Sequence, residues 1–403
     1  MRLFGYDITK ADKVTREMQL NPIFGMLGVG AEGINTSTAL GQAKAYAACS
    51  VLMSVLTKKV NAIKNLRLMS VDAEGVDIGN KDAIKVMSQP NSYQRIEDFA
   101  AFCDLMVNIF GRAYIMKLDI VGFDGFELFV IPNLCVTENE RLRESISFEP
   151  DSNIVDYTVT IGDLQMTVDR DHMFIVSDST CEMSTFGGCG ISRMVALEKP
   201  INTFISSYDA THELMVNRGM LAIISLTSGG NDFLRDVTLP QTASEKEAVQ
   251  AALNKYGVVR NKMKYAITNL NAAVSPVSST ITDLGLTDVQ KSCKKDIADM
   301  YQVPSVLLDV EGSTYANAKE AKTILYTDAV IPEANNIFYT LNRIYGFEEF
   351  KVMPYYDHLE LFQEAKREQA AGMTNLVSAL TNAVTSGLMT QQEAKDELNK
   401  YLV

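Results

Sequence analysis

Apolar residues recur at three- and four-residue steps along several parts of this chain, and each such stripe predicts a helix with one buried face. Tyr46, Cys49, Met53, Leu56, Val60 and Ile63 predict a single helix over 38–66. Lys58, Lys59 and Lys64 fall in its later part, favourably placed against the helix dipole. The turn Ser88-Gln89-Pro90-Asn91 precedes a second helix near Ile96–Phe110. A third stripe, Val289, Cys293, Ile297 and Met300, follows Thr287 and Gln290, which have the spacing of a capping box. That helix is expected to stop at Tyr301-Gln302-Val303-Pro304, because the residue before a proline is pushed out of the α region. After Val306-Leu307-Leu308, the run Glu311-Gly312-Ser313-Thr314-Tyr315 has the composition of a mobile loop. A long amphipathic helix then runs from Ala316 through Tyr326, Ile331-Pro332 and Ile337 to Leu341-Asn342.

Elsewhere the period shortens to two. Gly111 and Arg112 open a strand, Asp124-Gly125 marks a hairpin, and Gly162-Asp163 joins 157–161 to 164–168. This is an α+β unit with short antiparallel strands. Phe186-Gly187-Gly188 leads into a helix expected to be interrupted at Pro200 and to end near Arg218-Gly219. Between two helical legs lies a small α/β insert, with strands at 221–226, 264–268 and 273–277 and a helix at 244–256. A strand is expected over 345–354. Two helices then share 358–403, separated by Ser386-Gly387, with Thr390 and Glu393 forming a capping box for the last. The first 37 residues hold Asn21-Pro22 and four glycines without lasting periodicity, and read as a mobile arm.

Composition narrows the function. The chain has 403 residues, 47% hydrophobic and 22% charged, which suits a globular protein of two or more compact units. No apolar run reaches the ~18–20 residues of a membrane span, and the start lacks a signal peptide's apolar core, so a cytosol-like compartment is expected. A net charge of −13 argues against a sequence-reading DNA binder, but not against a channel through which DNA slides. The six cysteines are scattered and only three histidines exist, none beside a cysteine, so buried free thiols are expected rather than zinc. Gly28-Val29-Gly30-Ala31-Glu32-Gly33 matches a dinucleotide fingerprint, but its preceding stretch is a poor strand and Met53 stands where an acid belongs. Thr227-Ser228-Gly229-Gly230 reads as a turn, and Asp357-His358 has no adjacent nucleophile. No catalytic constellation is present in the sequence, and none is expected to need a cofactor.

The segments Val303-Pro304-Ser305-Val306-Leu307-Leu308-Asp309, 312–321, Ile331-Pro332-Glu333-Ala334-Asn335 and Leu341-Asn342 resemble phage portal proteins of siphophage-like phages or prophages. Gln89-Pro90-Asn91 supports the resemblance, although Arg112 stands where the family usually has Asn in its GNAY segment. The resemblance implies a portal-type fold, assembled as a ring that is usually dodecameric. It implies a flexible N-terminal arm over 1–37, an α+β wing over 38–200 and a stem helix over 201–218. A clip over 219–284, a second stem helix over 285–303 and a tunnel loop over 304–317 follow. A spine helix with its return to the wing occupies 318–358, and a helical crown 359–403.

The implied role is a ring at a capsid vertex through which double-stranded DNA is packaged and ejected. It docks the terminase and then the neck and tail, and hydrolyses nothing itself. Implied partners are further copies of the chain, DNA without sequence preference, the terminase large subunit, the major capsid or scaffold protein and a neck or head-completion protein, with no membrane. The implied locations are the virion and, during assembly, the host cytoplasm. On this mapping Asp309, Glu311, Gly312, Ser313, Thr314 and Tyr315 belong to the tunnel loop. Lys291, Lys294 and Lys295 line the channel, with a solvated face or inter-subunit ion pairs as the alternative. Glu245, Lys246 and Glu247 dock the terminase. The other readings are a different ring-forming neck or capsid protein, and a nucleotide-dependent enzyme resting on the glycine motif.

Overall fold

The structure is a computed structural model and describes residues 2–3, 6–10, 33–120, 125–140, 154–178, 191–217, 222–226, 272–276, 285–308, 315–386 and 389–399. The stripe over 38–66 forms two helices rather than one: α1 (Ala39–Ala48) and α2 (Ser50–Ile63), bent by 94° at Cys49. Cys49 is extended and fully buried. Its N–H closes α1 on the Ala45 carbonyl and its own carbonyl accepts from Met53 to start α2. The bend resets the helical phase, so α2 buries Leu52, Val55, Leu56, Lys59, Ala62 and Ile63, while Met53 is 40% exposed.

Strand β3 (Arg67–Val71) and helix α3 (Lys81–Ser88) lead to the predicted turn. There the Asn91 side chain accepts the N–H groups of Tyr93 and Gln94 and donates to the Leu128 carbonyl. It thereby holds the start of α4 (Ile96–Phe110) against β5 (Phe126–Ile131). Helix α4 stops at Gly111, whose φ of 79° a side chain would strain. The chain then enters β4 (Arg112–Asp119), which pairs with β5 on one edge and β9 (Met173–Ser177) on the other.

A second sheet holds β6 (Val136–Glu140), β7 (Ile154–Ile161) and β8 (Leu164–Asp169), with the expected hairpin turning at Gly162. Its outer edge is built from the first ten residues: β1 (Arg2–Leu3) and β2 (Tyr6–Lys10), in the order β1-β2-β8-β7-β6. The segment read as an arm without structure therefore contributes two short strands.

Helix α5 (Arg193–Ala196) is separated from α6 (Glu198–Asn217) at Leu197, not at Pro200. Pro200 sits in the first turn of α6, where its missing N–H leaves no helical bond unmade. Strands β10 (Ala222–Leu226) and β11 (Ala272–Pro276) pair antiparallel; the rest of the insert lies outside the described residues. Helix α7 (Leu286–Met300) starts one residue before Thr287, from Gly285 at φ 58°, so Thr287 and Gln290 form no capping box. It ends four residues before Pro304. The left-handed Gln302 donates to Asp299 and Val303 donates to Ala298, a Schellman closure without glycine.

The long helix appears as α8 (Tyr315–Ile324), a π turn (Leu325–Val330) and α9 (Ile331–Tyr345). Strand β12 (Lys351–Tyr355) pairs with β3, and α10 (Glu360–Thr385) and α11 (Gln391–Asn399) follow. Thr390 and Glu393 exchange the two bonds of the predicted capping box. One large core joins α1, α2, α4, α7 and α9, and a smaller one fills the space between the three- and five-stranded sheets around Tyr157, Val159 and Val168.

Candidate channel surface and its buried anchor

Helix α7 buries Cys293, Ile297 and Ala298, and packs alongside α6, where Gln290 reaches Thr211. Its opposite face is open. Lys291 and Lys295 are exposed there among Asp288, Asp296 and Asp299. Lys294 is different: it is half-buried, and its ammonium reaches the Leu308 carbonyl at 3.4 Å, just where the described chain stops before 309–314. The three lysines thus divide into two on the open face and one beside Leu308. Asp309, Glu311, Gly312, Ser313 and Thr314 lie outside the described residues, as do Glu245, Lys246 and Glu247. Tyr315 is not a loop residue but opens α8.

Beneath α7 sits a cluster of buried charge that joins six parts of the chain. Lys59 of α2 is fully buried; its ammonium lies 2.5 Å from Glu333 of α9 and 2.9 Å from the Asn108 side-chain oxygen of α4. Arg193 of α5, 4% exposed, grips Asp178 after β9 through two nitrogens, at 2.6 and 3.1 Å, and reaches the other oxygen of Glu333 at 3.0 Å. Tyr301, the C-cap of α7, is buried against both cations and donates to the Asn108 carbonyl. Glu333 therefore binds both cations at once, and the C-terminal end of α7 rests on them through Tyr301.

Asp104 stands beside this set, 1% exposed. Burial, reinforced by the adjacent Glu333 charge, pushes its pKa well above the usual carboxylate range, which favours the neutral acid. Burial alone would raise Glu333 too, but Lys59 and Arg193 pull it below its ordinary value. Two cations then face the carboxylates of Glu333 and Asp178, beside an acid whose charged form burial disfavours. Next to them lies a cavity of about 50 Å³, lined in part by Asp104, Arg193, Glu333, Asp328 of the π turn and the left-handed Gln302.

The sequence placed Lys59 in the later part of its helix, favourably against the dipole, and did not mark it as buried. The signal that finds it is the reset phase after Cys49, which puts position 59 in line with 52, 55 and 63. Asp104 and Asn108 were findable as well. Helix α4 is apolar on nearly every side, so a polar residue in its middle has no route to water.

A model of the phage portal protein family matches residues 50–399. The chain belongs to the phage portal protein family. Solved structures share the fold. A chain in the neck of an empty gene transfer agent particle, computed with C6 symmetry, has a TM-score of 0.58 at 16% identity, covering 94% of this portal and 99% of that chain. A chain in the virion of a native gene transfer agent particle has a TM-score of 0.56 at 15% identity, covering 96% and 99%. An HK97-family phage portal protein from Corynebacterium diphtheriae has 0.52 at 14% identity, covering 81% and 97%. No curated protein matches the sequence. The portal acts at a capsid vertex and is a virion protein of a structural family, and the resemblance carried by 303–342 is confirmed.

Proposed function

We propose that twelve copies of this portal close into a ring around a channel that conducts double-stranded DNA during packaging and ejection. The observation that carries this reading is the open face of α7, backed by α6 along its length. With 15 residues it spans about 22 Å. Its exposed charges run in the order Asp288, Lys291, Lys295, Asp296 and Asp299, so the two lysine rings are flanked on both sides by rings of acid. Twelvefold repetition turns small charges per chain into substantial potentials, and the flanking acids keep the lysine levels from gripping phosphates. A neck of similar fold computed with C12 symmetry supports the stoichiometry.

In this reading the residues 309–314, held at their foot by Lys294, form the constriction, and Gly312 and Ser313 let it flex. The insert between β10 and β11 faces the terminase through Glu245, Lys246 and Glu247. The wing meets capsid or scaffold protein, a neck protein replaces the terminase after packaging, and assembly begins in the host cytoplasm.

Native mass measurement and negative-stain microscopy of the purified portal test the ring: a closed multimer with a central channel is expected. A monomer at every protein and salt concentration, also with capsid and scaffold protein present, would remove the reading. For the docking assignment, reversing the charges at 245–247 should lower DNA packaged in a terminase-driven assay at least tenfold while the ring mass is unchanged. Normal packaging by that variant would move the docking site elsewhere.

A further inference from the structure

The edge of the five-stranded sheet is closed by the chain's own beginning, and that closure is unusually detachable. Strand β2 meets β8 in three register pairs: Ile8 with Met166, Thr9 with Gln165 and Lys10 with Leu164. Its main element contacts are with β8 and with β1, which pairs antiparallel with it. Without β2, β8 is an unpaired edge open to any strand of suitable register.

The next anchored point of the chain is far from these strands in sequence. Ile34 exchanges two hydrogen bonds with the side chain of Asn202 in α6, and Thr36 is held by Glu198. Residues 11–32 connect the two attachments. At about 3.5 Å per residue their contour length is on the order of 70 Å. The sheet also leaves an uncovered apolar corner. Ile161 and Leu164, opposite each other at the turn end of β7 and β8, are 54% and 58% exposed, and Leu164 is the partner of Lys10. A neighbour close enough to lend its first strand is close enough to cover that corner.

We propose that the β2 strand is exchanged around the ring, each subunit placing residues 6–10 on the β8 edge of the next. The hydrogen bonds are those of the closed form, so the exchange adds no strain. It converts an intrachain closure into an interlock repeated at every subunit boundary. The partner is a second copy of this chain, and the proposal rests on the ring reading above.

The test uses full-length portal with cysteine pairs placed across the register, Thr9→Cys with Gln165→Cys and, separately, Ile8→Cys with Met166→Cys. Successive antiparallel pairs alternate between wide and close spacing, so one of the two suits a disulfide. Ring formation is established first by native mass, which separates failure of the ring from failure of the exchange. After oxidation, a non-reducing denaturing gel of assembled rings should show a ladder of covalent multimers that wild-type rings lack. Rings co-assembled from the Thr9→Cys and Gln165→Cys single variants should give covalent dimers. A monomer band with its new thiols consumed would place the strand on its own chain and overturn the exchange. Free thiols in both pairs would show that β2 does not lie on β8 in the ring, which also overturns it.

Discussion

Replacing Glu333 with leucine should cost the portal about 3–5 kcal/mol of stability, the usual penalty for stranding a buried charge. The substitution removes the carboxylate that Lys59 and Arg193 share, leaving Lys59 beside the Asn108 amide oxygen and the Tyr301 ring, and Arg193 with Asp178 and the same ring among its described partners. Urea unfolding of the purified protein measures the effect. The contrasting variant is Glu364→Ala, which removes the partner of Lys319 between α10 and α8. Both members of that pair are about 40% exposed, so the loss should stay below about 1 kcal/mol. Equal losses from the two would show that the cluster is no more than a surface pair.

The same cluster sets a pH dependence with two opposing parts. Glu333 has a lowered folded pKa, so its contribution is present above its unfolded value near 4.5 and is lost as pH falls through the folded one. Asp104 has a raised folded pKa, so its contribution is present below its unfolded value near 3.8 and is lost as pH rises toward the folded one. Asp104→Asn abolishes the second part only. Between pH 5 and the raised pKa, the stability of this variant relative to wild type should therefore climb steadily. A pH-independent difference between them would mean that Asp104 is ionised in the folded state.

The second large effect is expected at Gly41. Helix propensity alone favours Gly41→Ala by up to about 1 kcal/mol. Geometry argues the reverse: a Cβ there would stand 1.6 Å from the carbonyl oxygen of Asn35, a backbone atom that cannot step aside by itself. The loop 33–38 would have to move, and it carries the bonds from Ile34 and Thr36 to the start of α6. A loss of about 3 kcal/mol is expected, with the melting temperature as the readout. An alanine variant as stable as wild type would show that this loop does not pack as described.

Much of the fold was legible because it rests on local chemistry. Gln89-Pro90-Asn91, Gly111, Gly162 and the Thr390–Glu393 box each force one backbone geometry, and the structure has each where the residues demand it. The bend at Cys49 was hidden, since neither glycine nor proline marks it. Burial of the cysteine in the common core creates it. The start of α7 was misread for a related reason: a left-handed Gly285 opens the helix one residue early, and the Thr287 hydroxyl is left without the capping role. The charge cluster was harder still. Its members come from residues 59 to 333, and charges so distant in sequence become partners only after every helix has been placed. The pairing of the first strands with β8 is likewise a long-range event, and a strand of five residues is too short to show a period.

The π turn at Leu325–Val330 inserts one surplus residue into a helix of 31. Buried positions step by four from Ala321 to Leu325, by five to Val330, then by four to Ala334 and Phe338. The extra residue rotates everything before it by roughly 100° relative to everything after it. The upper part can therefore turn Lys319 toward Glu364 of α10, while the lower part keeps Glu333 on the charge cluster. Such a surplus is also a register shifter. Moved along the helix by one turn, it would swing a whole band of side chains around the axis while most backbone bonds stayed closed. The portal thus carries, in its longest helix, a screw-like joint whose pitch is a single amino acid.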